Sequence, residues 1–88
     1  MALTAGQITV TTAAAVLIHQ TDADGCDIIL AADISAGQHV ALGAAGVTTS
    51  NGFIFDGGSN LHLTMPAGSA LYGIANSGTV IVSKLVSD

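Results

Sequence analysis

Arginine, glutamate and tryptophan are absent from this 88-residue chain, and Lys84 is its only strong cation. Each absence closes off a class of function. One cation cannot supply the counterion release that drives binding to phosphates, and the formal charge of −5 adds repulsion, so nucleic acid and anionic membrane surfaces are excluded as expected partners. Aromatic residues make up 3% of the chain (Phe53, Phe55 and Tyr72), too few for a base-stacking platform or an aromatic sugar site. A lone cysteine, Cys26, cannot form an internal disulfide.

Long apolar runs are missing as well. The longest candidate near the N-terminus covers residues 13–18, far short of the roughly 20 residues of a membrane-spanning helix. No Lys or Arg precedes it and His19 follows it, so it does not read as a secretory signal, and the product is expected to stay soluble where it is made. What the chain does contain is 50% hydrophobic residues with only 8% charged, the opposite of a disordered composition. Ordering costs roughly 1.5 kcal/mol per residue, and a core of this size only about offsets it. With no disulfide to help, burial against other subunits is the expected supplement.

Clusters of Gly, Asn, Asp and Ser punctuate the chain at short intervals, and the runs between them suit a pleated surface. Residues 7–12 alternate, with Ile8 and Val10 on one face. Residues 13–20 have some helical propensity through three alanines, but their brevity and β-branched flanks favour a second strand. Asp22-Ala23-Asp24-Gly25 reads as a turn. Residues 26–32 form an apolar run after Asp27, expected to be a central strand buried on both faces. Ser35-Ala36-Gly37 turns the chain into residues 38–42, where Val40 and Leu42 share a face. The loop-rich stretch 43–58 holds Asn51-Gly52, a strong hairpin dipeptide. Residues 60–65 alternate most cleanly, with Leu61, Leu63 and Met65 facing one way. Residues 70–75 and 79–86, joined by Asn76-Ser77-Gly78, read as a closing hairpin whose last strand carries large aliphatics on both faces. The expected fold is a single all-β domain over residues 1–88, a compact β-sandwich or jelly-roll-like barrel of seven or eight short strands, with residues 1–6 as a flexible N-terminal arm.

Candidate chemistry is sparse. Asp22, Asp24 and Asp27 around Gly25 partly resemble the start of a calcium loop, but without any Glu for the closing bidentate ligand they read better as a solvated turn. His19, His39 and His62 are scattered, and a structural zinc site would need all three together with Cys26. Gly57-Gly58 lacks the lysine and the following helix of a phosphate loop. No catalytic residue, metal ligand or cofactor is therefore expected, and the chain does not read as an enzyme. Phe53, Ile54 and Phe55 follow the Asn51-Gly52 turn and fill core by default. As an exposed apolar loop they would need a covering partner, and they are the candidate subunit contact.

The segment Gly46-Val47-Thr48-Thr49-Ser50-Asn51-Gly52-Phe53, followed by Leu71-Tyr72-Gly73-Ile74-Ala75 and Ser77-Gly78-Thr79, resembles a family of small β-sandwich virion proteins of tailed bacteriophages. The order and spacing match from Gly46 to about Leu85. The chain departs after Phe53, where relatives often carry Pro and Leu and this chain has Ile54-Phe55-Asp56. The resemblance implies a structural virion protein, expected to be a capsid decoration or cement protein made in the host cytoplasm and carried on the phage head. Its expected partners are copies of itself, as a trimer, and the major capsid protein. A small tail, neck or fibre domain that serves assembly or host-surface binding is the alternative.

Overall fold

A computed structural model describes residues 3–21, 24–34, 37–56 and 60–87. It contains eight strands, β1 (Leu3–Val10), β2 (Val16–Gln20), β3 (Cys26–Asp33), β4 (Val40–Gly43), β5 (Phe53–Phe55), β6 (Leu61–Met65), β7 (Ala70–Ala75) and β8 (Val80–Ser87), and no helix among the described residues. They form two four-stranded sheets, ordered β1-β8-β3-β6 and β2-β7-β4-β5, with every pairing antiparallel. Every connection except β4 to β5 passes from one sheet to the other. This is the strand order of an eight-stranded jelly roll, and the chain is a small all-β sandwich.

Strand alternation decides what lies between the sheets. From the β1-β8-β3-β6 sheet, Val10, Ile28, Leu30, Val80, Val82, Val86 and Met65 point inward, and from the other sheet Ile18, Val40, Leu42, Phe55 and Ala75 meet them. Gly73 lies on this inner face because a Cβ there would sit 2.8 Å from Ile18 Cδ1 and 3.0 Å from Val40 Cγ1. Among the described residues the one buried polar side chain is Thr21, just past the end of β2. The Thr21 hydroxyl accepts from Ser69 N–H (2.9 Å) and lies 3.0 and 3.1 Å from the carbonyl oxygens of Pro66 and Ser69, while its own N–H donates to Ser69 O (2.9 Å). Pro66 to Ser69 is thereby held as the turn from β6 into β7.

Several expectations are corrected. Residues 3–6 are not an arm: Leu3 pairs with Ser87, Thr4 with Val86, Ala5 with Leu85 and Gly6 with Lys84, extending β1 four residues towards the N-terminus. Met1 and Ala2 lie outside the described residues. The central place of β3 between β8 and β6 agrees with its apolar run, but its burial does not, since Cys26, Ile28 and Leu30 are buried while Asp27 and Ile29 are exposed. β7 and β8 are not a hairpin, for they belong to different sheets. Their link is clamped from the side: Asn76 Nδ2–H donates to Gly37 O (2.9 Å), Asn76 Oδ1 accepts from His39 N–H (2.7 Å), and Gln38 Nε2–H donates to Ser77 O (2.7 Å).

Asn51-Gly52 also differs from its expected role. No non-glycine residue has positive φ among the described residues and Gly52 is not among the glycines that do, which excludes the two-residue turn that this dipeptide favours. Instead the whole stretch from Ala44 to Gly52 joins β4 to β5 and folds back over the outer side of β4. Asn51 Oδ1 accepts from Thr48 N–H (2.8 Å), and Gly52 N–H donates to Thr48 O (3.1 Å). Gly52 is needed for close approach, since a Cβ there would lie 2.7 Å from both Ala41 Cβ and Val47 Cγ2. Val47 plugs this contact, which leaves both Val47 and Ala41 buried.

Candidate functional site

Titratable residues are spread out rather than gathered. His19 lies on β2, His39 just before β4 and His62 on the outer face of β6, while Cys26 is buried at the start of β3. Among the described residues no group of three or more His, Cys, Asp or Glu side chains could hold a metal ion. Asp27 is exposed on the outer face of β3, where its Oδ1 accepts from the Thr64 hydroxyl across the strand pair (2.9 Å). Asp22 and Gly57-Gly58 fall outside the described residues. No helix among the described residues is long and apolar enough to cross a membrane.

Lys84 has a structural use that sequence reading missed. It occupies an inward position of β8, in line with Val80, Val82 and Val86, opposite Gly6 of β1. With no side chain at Gly6, the aliphatic stem runs past β1 unobstructed; a Cβ there would already touch Lys84 Cε at 3.4 Å. The ammonium reaches across to the other sheet, donating to Ile18 O (2.7 Å) and to His19 Nδ1 (3.2 Å). An ammonium only donates, so in this contact Nδ1 is the acceptor. The β2 register shifts between Leu17 and His19, and the Ile18 carbonyl used by Lys84 lies at this bulge. The alternation of β8 shows that residue 84 faces inward, but the bulge that receives it is a tertiary feature.

Lys84→Met keeps the stem and deletes the donors, leaving Ile18 O without its charged partner. The expected loss is about 2 kcal/mol, typical of a hydrogen bond to a charged group, or roughly 10 °C in melting temperature for a domain of this size. A thermal melt indistinguishable from that of the parent would show the ammonium to be dispensable.

Large apolar side chains, by contrast, lie open on the surface. Phe53 is 62% exposed and Ile54 47%, at the corner where edge strand β5 begins, whereas Phe55 is 5% exposed and packs into the core opposite Val40. The candidate contact therefore shrinks to Phe53 and Ile54. Phe55 shares the face of Val40, and strand alternation turns Ile54 to the other side. A shallow recess beside them is lined by Phe53 to Asp56 and by Asn60 and Leu61.

A second apolar surface was only half visible in the sequence. On the outer face of the β1-β8-β3-β6 sheet, Leu3 is 69% exposed, Ile29 and Leu85 each 40%, and Ile81 38%. The inner aliphatics of β8 meet protein as expected, while the outer ones, Ile81 and Leu85, stay partly open to solvent. Leu17 adds a further exposed apolar side chain on β2. Adjoining exposed apolar side chains of this kind are suited to contacts made by burial.

In comparisons with known protein families, curated proteins and solved structures, the chain gives no match.

Proposed function

We propose that this chain is a structural virion protein that acts by assembly and without turnover, as a capsid decoration or cement protein on the head of a tailed bacteriophage. The observation that carries the assembly reading is the set of large aliphatic and aromatic side chains left in solvent, namely Leu3, Leu17, Ile29, Phe53, Ile54, Ile81 and Leu85, on a domain with one strong cation. Isolated apolar residues are ordinary on a protein surface, but here several of them adjoin on one sheet. The virion setting rests on the resemblance of residues 46–79. Jelly rolls serve viral capsids, lectins and cupins alike, so the fold adds an analogy and no more.

In this reading the chain forms a homo-oligomer and bridges neighbouring subunits of the major capsid protein, stabilising the shell by binding its assembled form. Phe53 and Ile54 supply the contact to the shell, made at the virion surface after synthesis in the host cytoplasm. The acidic balance requires that the complementary shell surface not be acidic itself.

Light scattering should give a multiple of the 8.6 kDa chain mass, and the oligomer should co-sediment with shells that lack it. Phe53→Ser combined with Ile54→Ser is expected to leave the melt within about 1 kcal/mol of the parent, because both side chains are exposed. Binding to shells is expected to weaken at least about tenfold, the equivalent of roughly 1.4 kcal/mol of lost apolar burial. An oligomer that ignores shells would move the assignment to a tail, neck or fibre component, and a monomer that ignores them would overturn both.

A further inference from the structure

The outer face of the β1-β8-β3-β6 sheet is built in four rows whose registers can be read strand by strand. The first row is Leu3, Ser87, Asp27, Thr64, and the second is Ala5, Leu85, Ile29, His62. Gln7, Ser83 and Ala31 form the third, and Thr9, Ile81 and Asp33 the fourth. Leu85, Ile29 and Ala31 make three of the four middle positions of the two central strands apolar, with Ser83 the fourth, and the two carboxylates stand at opposite ends of β3. The molecule measures 37 × 23 × 16 Å, so its broad side offers on the order of 800 Å², about what one partner of a standard stable interface buries. The opposite sheet cannot offer an equally flat face, because the loop carrying Val47 lies across β4.

We infer that this face is where two copies of the chain pair, about a two-fold axis running along the strands between β8 and β3. The inference rests on the assembly reading above and goes beyond it by naming the face, the occupant and the symmetry. An axis in that direction lays β8 of each copy over β3 of the other, row on row. Leu85 then meets Ile29 of the second copy, and Ile29 meets its Leu85, so the apolar centre is buried twice over. Ser87 faces Asp27 of the second copy and can donate to it, and Ile81 covers Asp33 at the rim.

The charges decide between this axis and the other face-to-face arrangement. A two-fold axis across the strands would lay β3 on β3 and set Asp27 of one copy against Asp33 of the other, twice, in a surface being dehydrated. Like charges so placed oppose association; with an axis along the strands each carboxylate of β3 is instead displaced by one strand spacing, about 4.8 Å, from its equivalent in the second copy, and Asp27 lies opposite Ser87. β1 then lies over β6 of the second copy, with Ala5 over His62 and Leu3 over Thr64. An isologous contact of this kind gives an even number of chains, in place of the trimer that the resemblance implies.

The decisive experiment crosslinks two single-cysteine additions, Ile29→Cys and Leu85→Cys, with the buried Cys26 left in place and the parent protein as background. Mild oxidation of an equimolar mixture should give disulfide-linked dimers in several-fold higher yield than either variant alone. Leu85→Glu and, independently, Ile29→Ser should halve the mass seen by light scattering while leaving the circular dichroism of the folded domain intact. Crosslinking that is equal in the separate variants and in the mixture, a parent mass of one or three chains, or an unchanged mass in both face variants would each overturn the pairing. Shell binding is scored separately: a paired protein that ignores shells refutes the decoration role alone, and shell binding by a protein whose mass the face variants do not alter refutes the pairing alone.

Discussion

Ile28→Ala is expected to lower stability by about 3–4 kcal/mol, while Ile29→Ala, one position along the same strand, is expected to cost less than about 1 kcal/mol in dilute solution. Ile28 is fully buried between the sheets and pairs with Val86 on one side and Leu63 on the other, both of which turn the same way. Removing its side chain beyond Cβ leaves a cavity on a central strand, where neighbours are tied by two ladders and cannot close in. Ile29 is 40% exposed and points the other way. For a domain of this size the Ile28 loss corresponds to a fall in melting temperature of roughly 12–30 °C. Concentration separates the two sites further. On the proposed pairing, any deficit at Ile29 should grow as the protein is concentrated, whereas the deficit at Ile28 is present at every concentration. Equal losses at the two positions would mean that β3 is buried on both faces, as its unbroken apolar run suggests.

That run shows how far the sequence carries. Alternation in residues 7–10 and 61–65 is a local property of the strand, and the structure keeps it, with the inward set as expected. An unbroken run such as Ile28 to Ala32 carries no period, so the apolar side chains that face solvent cannot be told from those that face the core. Ile29 is apolar on the outer face, 40% exposed and flanked across the strands by Leu85 and His62.

Connections were legible only where partners are close in sequence. Asn76-Ser77-Gly78 has the composition of a hairpin turn, and Gly78 does adopt φ +60°. Whether it returns β8 alongside β7 or carries it to the other sheet is decided by Gln38 and His39, nearly forty positions away, which bind this segment. The same limit applies to the candidate contact. Phe53-Ile54-Phe55 looks uniform as a tripeptide, and pairing with Leu42, Ala41 and Val40 divides it into exposed corner and core. Lys84 was prominent in the sequence for its solitude, and its bonding depends on a bulge that composition does not announce.

Gly25→Ala is expected to destabilise the domain by about 3 kcal/mol or more, although it adds a single methyl group to a turn. Two costs combine there. Gly25 has φ +76°, and an L-residue in that region costs roughly 1–2 kcal/mol. A Cβ would also stand 2.6 Å from Met65 O and 3.1 Å from Ala67 N, which are backbone atoms of the β6–β7 turn and cannot rotate away. Moving them would disturb the end of the β3–β6 ladder, where Cys26 pairs with Met65, and the Pro66 carbonyl used by Thr21. Gly37→Ala separates the two costs, because Gly37 has φ +81° with nothing within 4 Å of a Cβ. It should therefore lose only the conformational part, about 1–2 kcal/mol, and melt well above the Gly25 variant. If both alanine variants melt together, crowding by the β6–β7 turn contributes nothing and the glycine at position 25 serves its dihedral angle alone. If Gly25→Ala melts roughly 4–16 °C lower, as a further 1–2 kcal/mol implies, the close approach of the two turns is what holds this end of the sandwich shut.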